Sequence, residues 1–370
     1  LTGKAKFGIF GDGKEVAQVA MARTFKHGDF RSGYYRDQTF MMAIGELSLE
    51  ALFSQLYANT ELSEEPASGG RQMNNHFATR SLDHQGKWKN LVNQNNSASD
   101  ISPTGSQMPR LLGLAQASKI YRNNTIQNSK IFSKNGDEIA YGTIGNASTS
   151  EGLFFETINA AGVLQVPMLL SIWDDGWGIS VPSKYQTTKG NISEVLKGFQ
   201  RTQKKDGLEI YKVNGWSYTE LCEVYSKASK ECRNHHIPVI IHVTEMTQPQ
   251  GHSTSGSHER YKTKSELNWE KDFDCIKKMK EWILQENICT KENLEKIELD
   301  AKQKVKESQK RTWSNYLNNL KKEKTELLNI INQENDRSNE LINTIIAQLE
   351  KEQQPNRKLL ISTTKEIIRN

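Results

Sequence analysis

Cysteine is scarce in this sequence, and long apolar runs are missing from it. The 370 residues contain four cysteines without a C-x-x-C pair, which argues against a disulfide framework or a zinc site and favours a reduced, cytoplasmic protein. No stretch of about 20 apolar residues and no signal peptide is present, so a membrane protein is not expected. The chain starts at Leu1 and not at methionine, which suggests that the true N-terminus is missing.

The sequence also has no strong excess or cluster of charged residues of one sign. The 49 basic and 44 acidic residues leave a formal net charge of +5, and the basic residues form no single stripe, so nucleic acid is not an expected partner. A ligand that carries phosphate is a simpler reason for local positive charge. No G-x-G-x-x-G follows a predicted strand, which argues against a nicotinamide-binding Rossmann protein.

From about residue 138 the sequence alternates between apolar strands and helices. Strands are predicted at 138–144, 167–173, 208–213 and 238–243, and helices at 151–163 and 218–233. This alternation is typical of an α/β fold with a mostly parallel sheet that helices cover on both faces. Open sheets of this kind bind their ligands in the loops at the carboxyl ends of the strands.

Three segments are predicted along the chain. Residues 1–264 are expected to form the main domain, with two early helices around a polar, turn-rich segment at 28–37 and a long loop at 61–109 that is expected to line a site. Residues 265–354 are rich in Lys, Glu, Asn and Gln and predict a charged C-terminal helical extension or linker. The apolar segment at 355–370 looks like the start of a further domain.

A turn of small residues at 145–148 follows the first of these strands. Ser148 and Glu151 have the spacing of a capping box, which predicts that the next helix begins beside the turn. The free N–H groups and the dipole at a helix N-terminus suit a phosphate group. The turn is therefore the predicted phosphate site.

The stretch around this turn resembles the thiamine diphosphate-binding motif of the 2-oxo acid dehydrogenase family, which runs from G-D-G to a pair of asparagines. In that family the acidic residue of G-D-G, the second asparagine and a backbone carbonyl two residues later bind Mg²⁺. The resemblance implies Asn146, Asp175 and the carbonyl of Trp177 as magnesium ligands here. It also implies that thiamine diphosphate lies against Gly145 and Ala147.

The match departs from the family pattern at both ends. G-D-G has become Gly145-Asn146-Ala147, and the asparagine pair has become Asp174-Asp175. The two ligand positions are still 29 residues apart, and the exchange of Asp and Asn leaves one carboxylate and one amide for a cation that prefers oxygen ligands. The alternative is a decayed site, in which the methyl group of Ala147 keeps the diphosphate away.

Two other segments match the same family. The loop at 251–255 reads G-H-S-T-S, and in the family its histidine faces the thiazolium ring and the diphosphate. His252 is therefore the candidate catalytic residue, for proton transfer and for handling the acyl group. Gln248 stands near a place where family members often have an arginine, so one phosphate contact would be lost. Tyr35 and Arg36 resemble the family's Y-R-D segment, whose tyrosine and arginine hold the diphosphate.

A further segment resembles the family loop that meets the aminopyrimidine ring of the cofactor. The resemblance gives this contact to Ser102 and Thr104. In some relatives the positions of Ser106 and Gln107 lie at a potassium site, so K⁺ is a candidate further cofactor. His76 falls in a segment that borders the active site in the family, and a purely structural role is the alternative.

The matches run in family order from residue 8 to 262 and leave the helical tail outside. They imply the α-subunit-like half of the decarboxylating first component of a 2-oxo acid dehydrogenase complex. Its activity would be oxidative decarboxylation of a 2-oxo acid, with branched-chain substrates of the 3-methyl-2-oxobutanoate type favoured, and transfer of the acyl group to a lipoyl arm. Alternatives are a pyruvate- or acetoin-type component and a noncatalytic scaffold with a decayed cofactor site.

The resemblance also implies partners. In the family the pyrimidine-binding β half supplies a glutamate that touches the aminopyrimidine, and no such domain is recognised in these residues. The chain is therefore expected to belong to a fused α and β polypeptide, with residues 355–370 as the start of the pyrimidine-binding domain, or to be an α subunit, and to be inactive alone. It would form a homo- or hetero-oligomer that engages a lipoyl-bearing acyltransferase.

Overall fold

The computed structural model describes residues 8–127, 129–253, 257–334 and 338–370. The strands in this part of the chain are β1 (Phe30–Ser32), β2 (Asn96–Ser97), β3 (Ala140–Gly145), β4 (Met168–Trp173), β5 (Trp177–Gly178), β6 (Val181–Pro182), β7 (Glu209–Asn214) and β8 (Val239–Thr244). β5 and β6 form a short antiparallel hairpin. The others form one parallel sheet in the order β2-β1-β3-β4-β8-β7, which confirms the predicted fold class and places β3 and β4 in the middle.

Helices cover both faces of the sheet. Those of the main domain are α1 (Glu15–Ala22), α2 (Gln38–Ala43), α3 (Leu49–Leu56), α4 (Gln107–Asn123), α5 (Gly152–Leu164), α6 (Ile192–Leu196) and α7 (Tyr218–His235). α1, α2 and α7 share one core with Leu169 of β4, whereas α4 and α5 share the other core with Leu170. Neighbouring side chains of a strand point to opposite faces, so a strand buried on both faces reads as one apolar run.

The predicted C-terminal helical extension is confirmed. It consists of α8 (Lys264–Asp272), α9 (Cys275–Gln285), α10 (Lys291–Glu334), α11 (Glu340–Lys351) and α12 (Arg357–Arg369). α9 packs on α1, and α10 packs along α3, where the Trp313 ring centre lies 5.0 Å from that of Tyr57. Residues 355–370 contain α12, which packs on α10 and α11. The domain boundaries, including a pyrimidine-binding domain that begins at 355, stay predictions.

Two strands lie where the sequence pattern indicates turns and loops. β1 falls in the polar segment at 28–37, and β2 falls in the long loop at 61–109. The three residues of β1 include Arg31 and Ser32, which are both buried, so no apolar alternation marks the strand. The prediction of irregular structure in these segments is therefore wrong at β1 and β2.

Arg31 is a fully buried cation on β1. Its guanidinium group contacts the carboxylates of Asp37 at 2.7 Å and Asp100 at 3.0 Å, and it donates to Ser97 Oγ at 2.8 Å. Thr143 Oγ1 also donates to Asp37, at 2.5 Å. A buried charge is tolerated only when it is paired and hydrogen-bonded, and this network meets that condition. It joins β1 to β2, to β3 and to the loop before α2.

The capping-box prediction is wrong. α5 begins at Gly152, and its N-cap residue is Glu151 rather than Ser148. Ser148 lies inside a 3₁₀ turn at Ala147–Ser150, so its side chain is not at the N-cap position. The 3₁₀ turn, and not the start of α5, is the helical element that follows Gly145.

The structure also bears on membrane insertion and on the cysteines. In the described residues, no helix is both long and apolar enough to cross a membrane.

The four cysteines are free thiols, and Cys232 and Cys275 are buried. Burial raises the pKa of the Cys232 thiol well above its usual value, so this residue acts as an unreactive part of the core.

Candidate functional site

One cavity brings the motif residues together. It has a volume of about 490 Å³ and lies at the carboxyl ends of β1, β3 and β4, beside the β5–β6 hairpin and the loop after β8. This is the edge where a parallel sheet binds its ligands. Of the residues predicted to be catalytic or to bind thiamine diphosphate or Mg²⁺, all except Ser102 line it: Tyr35, Arg36, Thr104, Gly145, Asn146, Ala147, Asp175, Trp177 and His252.

The turn after β3 leaves room in the cavity. A β-carbon added to Gly145 would meet only the ring of Tyr34, whose hydroxyl lies 3.6 Å away. The methyl group of Ala147 lies 2.6 Å from the place that a β-carbon on Gly178 would take, so it packs against the hairpin. The glycine at 178 thus accommodates Ala147, and the space beside Gly145 fits a phosphate group close to the backbone.

Asp175 is held by a buried lysine that the motifs do not indicate. The ammonium group of Lys14 donates to Asp175 Oδ2 at 3.1 Å, to the Thr247 carbonyl at 3.0 Å and to Gln248 Oε1 at 2.7 Å. These bonds use all three donors of an ammonium group, so the charged form of Lys14 is the form that fits. Lys14 is also the N-cap residue of α1, where the helix dipole disfavours a positive charge, and the carboxylate of Asp175 offsets that effect.

The pKa values of this pair follow from burial and charge. Burial lowers the pKa of Lys14, although the neighbouring Asp175 opposes the shift. Burial raises the pKa of Asp175, but the charges of Lys14 and Arg36 outweigh burial and hold the pKa of that carboxyl below its usual range. Asp175 is therefore fully ionised at pH 7.

Among the predicted magnesium ligands, Asp175 is the one whose oxygen atoms have protein partners in this geometry, whereas Asn146 and Trp177 use nitrogen atoms that would not bind the cation. Asn146 donates through Nδ2 to Ser183 Oγ at 3.0 Å, and the Trp177 N–H donates to Asp175 Oδ1 at 3.2 Å. Both oxygens of Asp175 thus accept a hydrogen bond. Among the described residues, no group of three or more His, Cys, Asp or Glu side chains could hold a metal ion. The assignment of Asn146, Asp175 and Trp177 as ligands stays a prediction, and the ion pair at Asp175 does not fit it.

Asp174, the first residue of the acidic pair, binds a histidine. Its Oδ2 accepts a hydrogen bond from His242 Nε2 at 2.7 Å, and its Oδ1 accepts one from the Gly176 N–H at 2.8 Å. His242 lies on β8 and is fully buried, and its Nδ1 lies 2.5 Å from Ser193 Oγ. Asp174 therefore fixes the turn between β4 and β5 and joins this turn to β8.

Replacing Asp174 by alanine is expected to lower the free energy of unfolding by about 1–3 kcal/mol, because the buried His242 ring would lose its acceptor. Urea denaturation followed by circular dichroism measures the change. Asp272→Ala is the matched control, since Asp272 pairs with Lys277 on the exposed surface and its loss should leave the curve nearly unchanged. Equal effects of the two substitutions would contradict the role given to Asp174.

Arg36 and His252 meet on another wall of the cavity. Arg36 Nη2 donates to the His252 carbonyl at 2.7 Å and lies 3.2 Å from His252 Nδ1, while Nη1 donates to the Phe10 carbonyl at 2.6 Å. Because a guanidinium group can only donate, Nδ1 of His252 is the acceptor and the ring proton is assigned to Nε2. The guanidinium carbon of Arg36 lies 5.3 Å from the centre of the Tyr35 ring, a cation–π contact.

His252 is neutral at pH 7 in this site. Burial lowers the pKa of its ring, and the charge of Arg36 lowers the pKa further. The neutral ring thus presents its Nε2–H as a hydrogen-bond donor, while Nδ1 accepts from Arg36. Thr254 and Ser255, the end of the matched G-H-S-T-S loop, lie outside the described residues.

Ser102 and His76, which belong to different sequence segments, contact each other. Ser102 Oγ lies 2.9 Å from His76 Nε2, and His76 Nδ1 lies 3.2 Å from the Asn74 carbonyl. The carbonyl can only accept, so Nδ1 carries the proton and Nε2 accepts from the Ser102 hydroxyl. The contact joins the two predicted segments, and Thr104 is the residue of this loop that lines the cavity.

The predicted potassium site lies at the start of α4. Ser106 is the N-cap residue of this helix, and Gln107 is its first residue. Gln107 Nε2 donates to the Thr143 carbonyl at 3.0 Å, and the Gln107 carbonyl accepts from Ser32 Oγ at 3.1 Å. These bonds attach α4 to β3 and β1, and K⁺ binding at Ser106 and Gln107 stays a prediction.

A known family covers most of this chain. The family model described as Dehydrogenase E1 component matches residues 2–320. The chain belongs to this family. The resemblance seen in the motifs is thereby confirmed, and the match continues past residue 262 through α8, α9 and most of α10. The expectation that the helical tail lies outside the resemblance is therefore wrong for residues 263–320, because those charged helices carry no motif that a short pattern could show.

Relatives of this E1-family chain include α subunits of two kinds of enzyme. The 2-oxoisovalerate dehydrogenase subunit alpha of Bacillus subtilis (strain 168) is 26% identical over 300 residues, which cover 81% of this chain and 79% of the relative. The pyruvate dehydrogenase E1 component subunit alpha of Acholeplasma laidlawii is 25% identical over 309 residues, covering 82% and 74%. The mitochondrial 2-oxoisovalerate dehydrogenase subunit alpha of Mus musculus is 25% identical over 312 residues, covering 83% and 61%.

Several residues that line the cavity of this E1-family chain have no motif: Lys14, Tyr34, Trp173 and Gln186. Lys14 lies directly before a helix, where lysine is disfavoured, but this position alone does not indicate a buried residue. Tyr34 adjoins the Y-R-D segment, and burial raises the pKa of its hydroxyl well above the usual value, so it stays protonated. Trp173 is the last residue of an apolar strand. A residue in that place is ordinarily expected in the core, so the sequence does not indicate that it lines the cavity.

Proposed function

We propose that this E1-family chain is the diphosphate-binding α half of a thiamine diphosphate-dependent 2-oxo acid dehydrogenase. With a pyrimidine-binding β half, in cis or as a separate subunit, it would decarboxylate a branched-chain 2-oxo acid of the 3-methyl-2-oxobutanoate type. The acyl group would pass to the lipoyl arm of an acyltransferase partner. The proposal rests above all on the meeting of the Gly145 turn, Arg36 and His252 in one cavity.

The cavity fits the diphosphate end of this cofactor. The Gly145 turn offers backbone beside space that no side chain fills, and Arg36 and Tyr35 lie on a wall that attracts an anion. Thr104 lines the same cavity and, with Ser102 nearby along the chain, is the proposed contact to the aminopyrimidine end. When bound, thiamine diphosphate supplies a nucleophilic carbon and an electron sink for the decarboxylation.

His252 is the proposed hydrogen-bond donor at the reacting atoms. Its Nδ1 accepts from Arg36, so the ring proton lies on Nε2, which can donate a hydrogen bond to the negative charge that develops on the substrate oxygen. Arg36 also binds the backbone carbonyl of His252, which fixes the direction of the ring. Arg36 thus has two proposed roles, because it attracts the diphosphate and orients the hydrogen-bond donor.

The proposed setting is a multienzyme complex in the cytoplasm. The α half would pair with its β half in a homo- or hetero-oligomer, and the acyltransferase would bring its lipoyl arm to the cavity. The four free cysteines fit a reducing compartment.

A pyruvate-type component is the second candidate, because the relatives include pyruvate as well as 2-oxoisovalerate enzymes. The branched-chain enzyme is favoured on the resemblance of the G-H-S-T-S loop at 251–255 to that of branched-chain family members. The difference in binding is small, because each methylene group in an apolar pocket contributes only about 1–3 kcal/mol to selection.

The test is a decarboxylation assay on the protein completed with its pyrimidine-binding half. It uses thiamine diphosphate, an artificial electron acceptor, and either 3-methyl-2-oxobutanoate or pyruvate. The proposal predicts a rate that depends on thiamine diphosphate, with the higher kcat/KM for the branched substrate. A higher kcat/KM for pyruvate would favour the second candidate. Bound cofactor without a rate on either would indicate another 2-oxo acid, and no bound cofactor would indicate a noncatalytic scaffold.

A further inference from the structure

The buried ammonium group of Lys14 already neutralises Asp175. The Lys14 side chain is 1% exposed and that of Asp175 is 13% exposed, so water screens the pair only weakly. The other two donors of Lys14 are bound to Thr247 and Gln248, so the ammonium group cannot turn away without losing two further buried hydrogen bonds. The Lys14–Asp175 ion pair is therefore a fixed part of the cavity wall.

A divalent cation would compete with this ammonium group for one carboxylate oxygen. Magnesium binds a carboxylate oxygen at about 2.1 Å, and on Asp175 Oδ2 it would lie within roughly 5 Å of Lys14 Nζ. Two like charges at that separation in a buried site repel each other strongly. The second oxygen of Asp175 already accepts the Trp177 N–H. Both oxygens of Asp175, the carboxylate of the predicted ligand set, are therefore engaged by the protein itself.

The cavity also carries the charge that an anion needs without a metal. In the described part of the chain, the ionised side chains that line it are Lys14, Arg36 and Asp175, so its cations outnumber its carboxylates. We propose that Lys14 replaces the divalent cation at this site, and that the cavity binds the diphosphate group of its cofactor without magnesium. This inference takes the identity of the cofactor from the proposed function. The claim that binding needs no metal ion comes from the geometry of Lys14 and Asp175 alone.

Titration calorimetry on the protein completed with its β half tests the proposal, with thiamine diphosphate and inorganic pyrophosphate as separate probes, each in EDTA and in excess Mg²⁺. The expected Kd values in the two conditions agree within about threefold. Binding that is more than about tenfold tighter in Mg²⁺ would overturn the inference and leave the proposed function standing. Metal-free binding of pyrophosphate without binding of thiamine diphosphate would overturn the proposed function alone. Binding of neither probe would overturn both.

Variants of the ion pair separate its charge from its structural role. Lys14→Gln removes the cation that contacts Asp175, and it is expected to weaken binding in EDTA more than about tenfold and to make binding respond to Mg²⁺. The double variant Lys14→Gln with Asp175→Asn keeps an amide hydrogen bond and is the version expected to fold normally. The net charge of the lining is then unchanged, so a loss of metal-free binding, without a gain of response to Mg²⁺, is expected from the missing ammonium group itself.

Lys184→Gln is the matched control, because Lys184 is an exposed lysine near the cavity and its loss should leave both Kd values unchanged. Circular dichroism verifies the fold of each variant. Metal-free binding by the folded double variant at the Kd of the unmodified chain would overturn the role of Lys14.

Discussion

Replacing His252 by asparagine is expected to slow turnover about a hundred- to ten-thousandfold in the protein completed with its β half. The substitution removes the ring nitrogen that would carry the proton. The asparagine side-chain oxygen can still accept from Arg36 at about the place of Nδ1, so the loop should keep its position. Steady-state kinetics with the preferred 2-oxo acid gives kcat, and titration with thiamine diphosphate gives the Kd. The loss is expected in kcat, with the Kd changed only slightly.

His235→Asn is the matched control for this experiment. His235 is the last residue of α7 and is exposed, so its replacement should change neither kcat nor the Kd. A His252→Asn variant that keeps kcat within a few fold of the unmodified protein would remove His252 from the mechanism. A variant that loses cofactor binding instead would make His252 a binding residue.

Arg31→Leu is expected to lower the free energy of unfolding by about 3–5 kcal/mol, the largest effect on stability that the structure suggests. Asp37 and Asp100 are fully buried, and both would lose their cation. Burial already raises the pKa of Asp37 against the opposing charge of Arg31, so without Arg31 that carboxyl should become protonated more easily. Urea denaturation at pH 7 measures the loss.

Lys277→Leu serves as the comparison for Arg31→Leu. Lys277 pairs with Asp272 at 2.9 Å, a distance similar to those in the Arg31 network. The side chains of Lys277 and Asp272 are, however, both exposed. Solvent screens such a pair, so its removal should hardly move the denaturation midpoint. If Arg31→Leu were as mild as Lys277→Leu, the buried network would not stabilise the sheet.

The fold was predictable where burial alone determines the sequence. β3, β4 and β8 are buried on both faces, and their apolar runs place them within two residues of the predicted positions. β1 was not predictable in the same way, because Arg31 is stable in a strand only when Asp37 and Asp100 surround it. Asp100 lies 69 positions from Arg31, beyond the reach of any local pattern.

In the candidate site, too, residues with a local sequence pattern were predictable, and residues that depend on distant partners were not. The G-D-G-like turn, the acidic pair and the G-H-S-T-S loop each have a local pattern, and the structure brings Gly145, Asp175 and His252 to one cavity. Lys14 has no such pattern, because its burial depends on Asp175 and Gln248, which lie 161 and 234 positions away. A lysine before a helix reads as a surface residue until those partners are known.

The same separation along the chain has a consequence for biosynthesis. Lys14 reaches its final environment only after Gln248 has been synthesised, 234 positions later, and a ribosome needs roughly 10 to 50 seconds for that length. β8 is also translated late, although it pairs with β4 and β7 inside the sheet. Nascent chains that end before this strand therefore expose one edge of β4 and leave the Lys14 ammonium group in water. The cavity is thus completed in one late step of translation, after most of the main domain has left the ribosome.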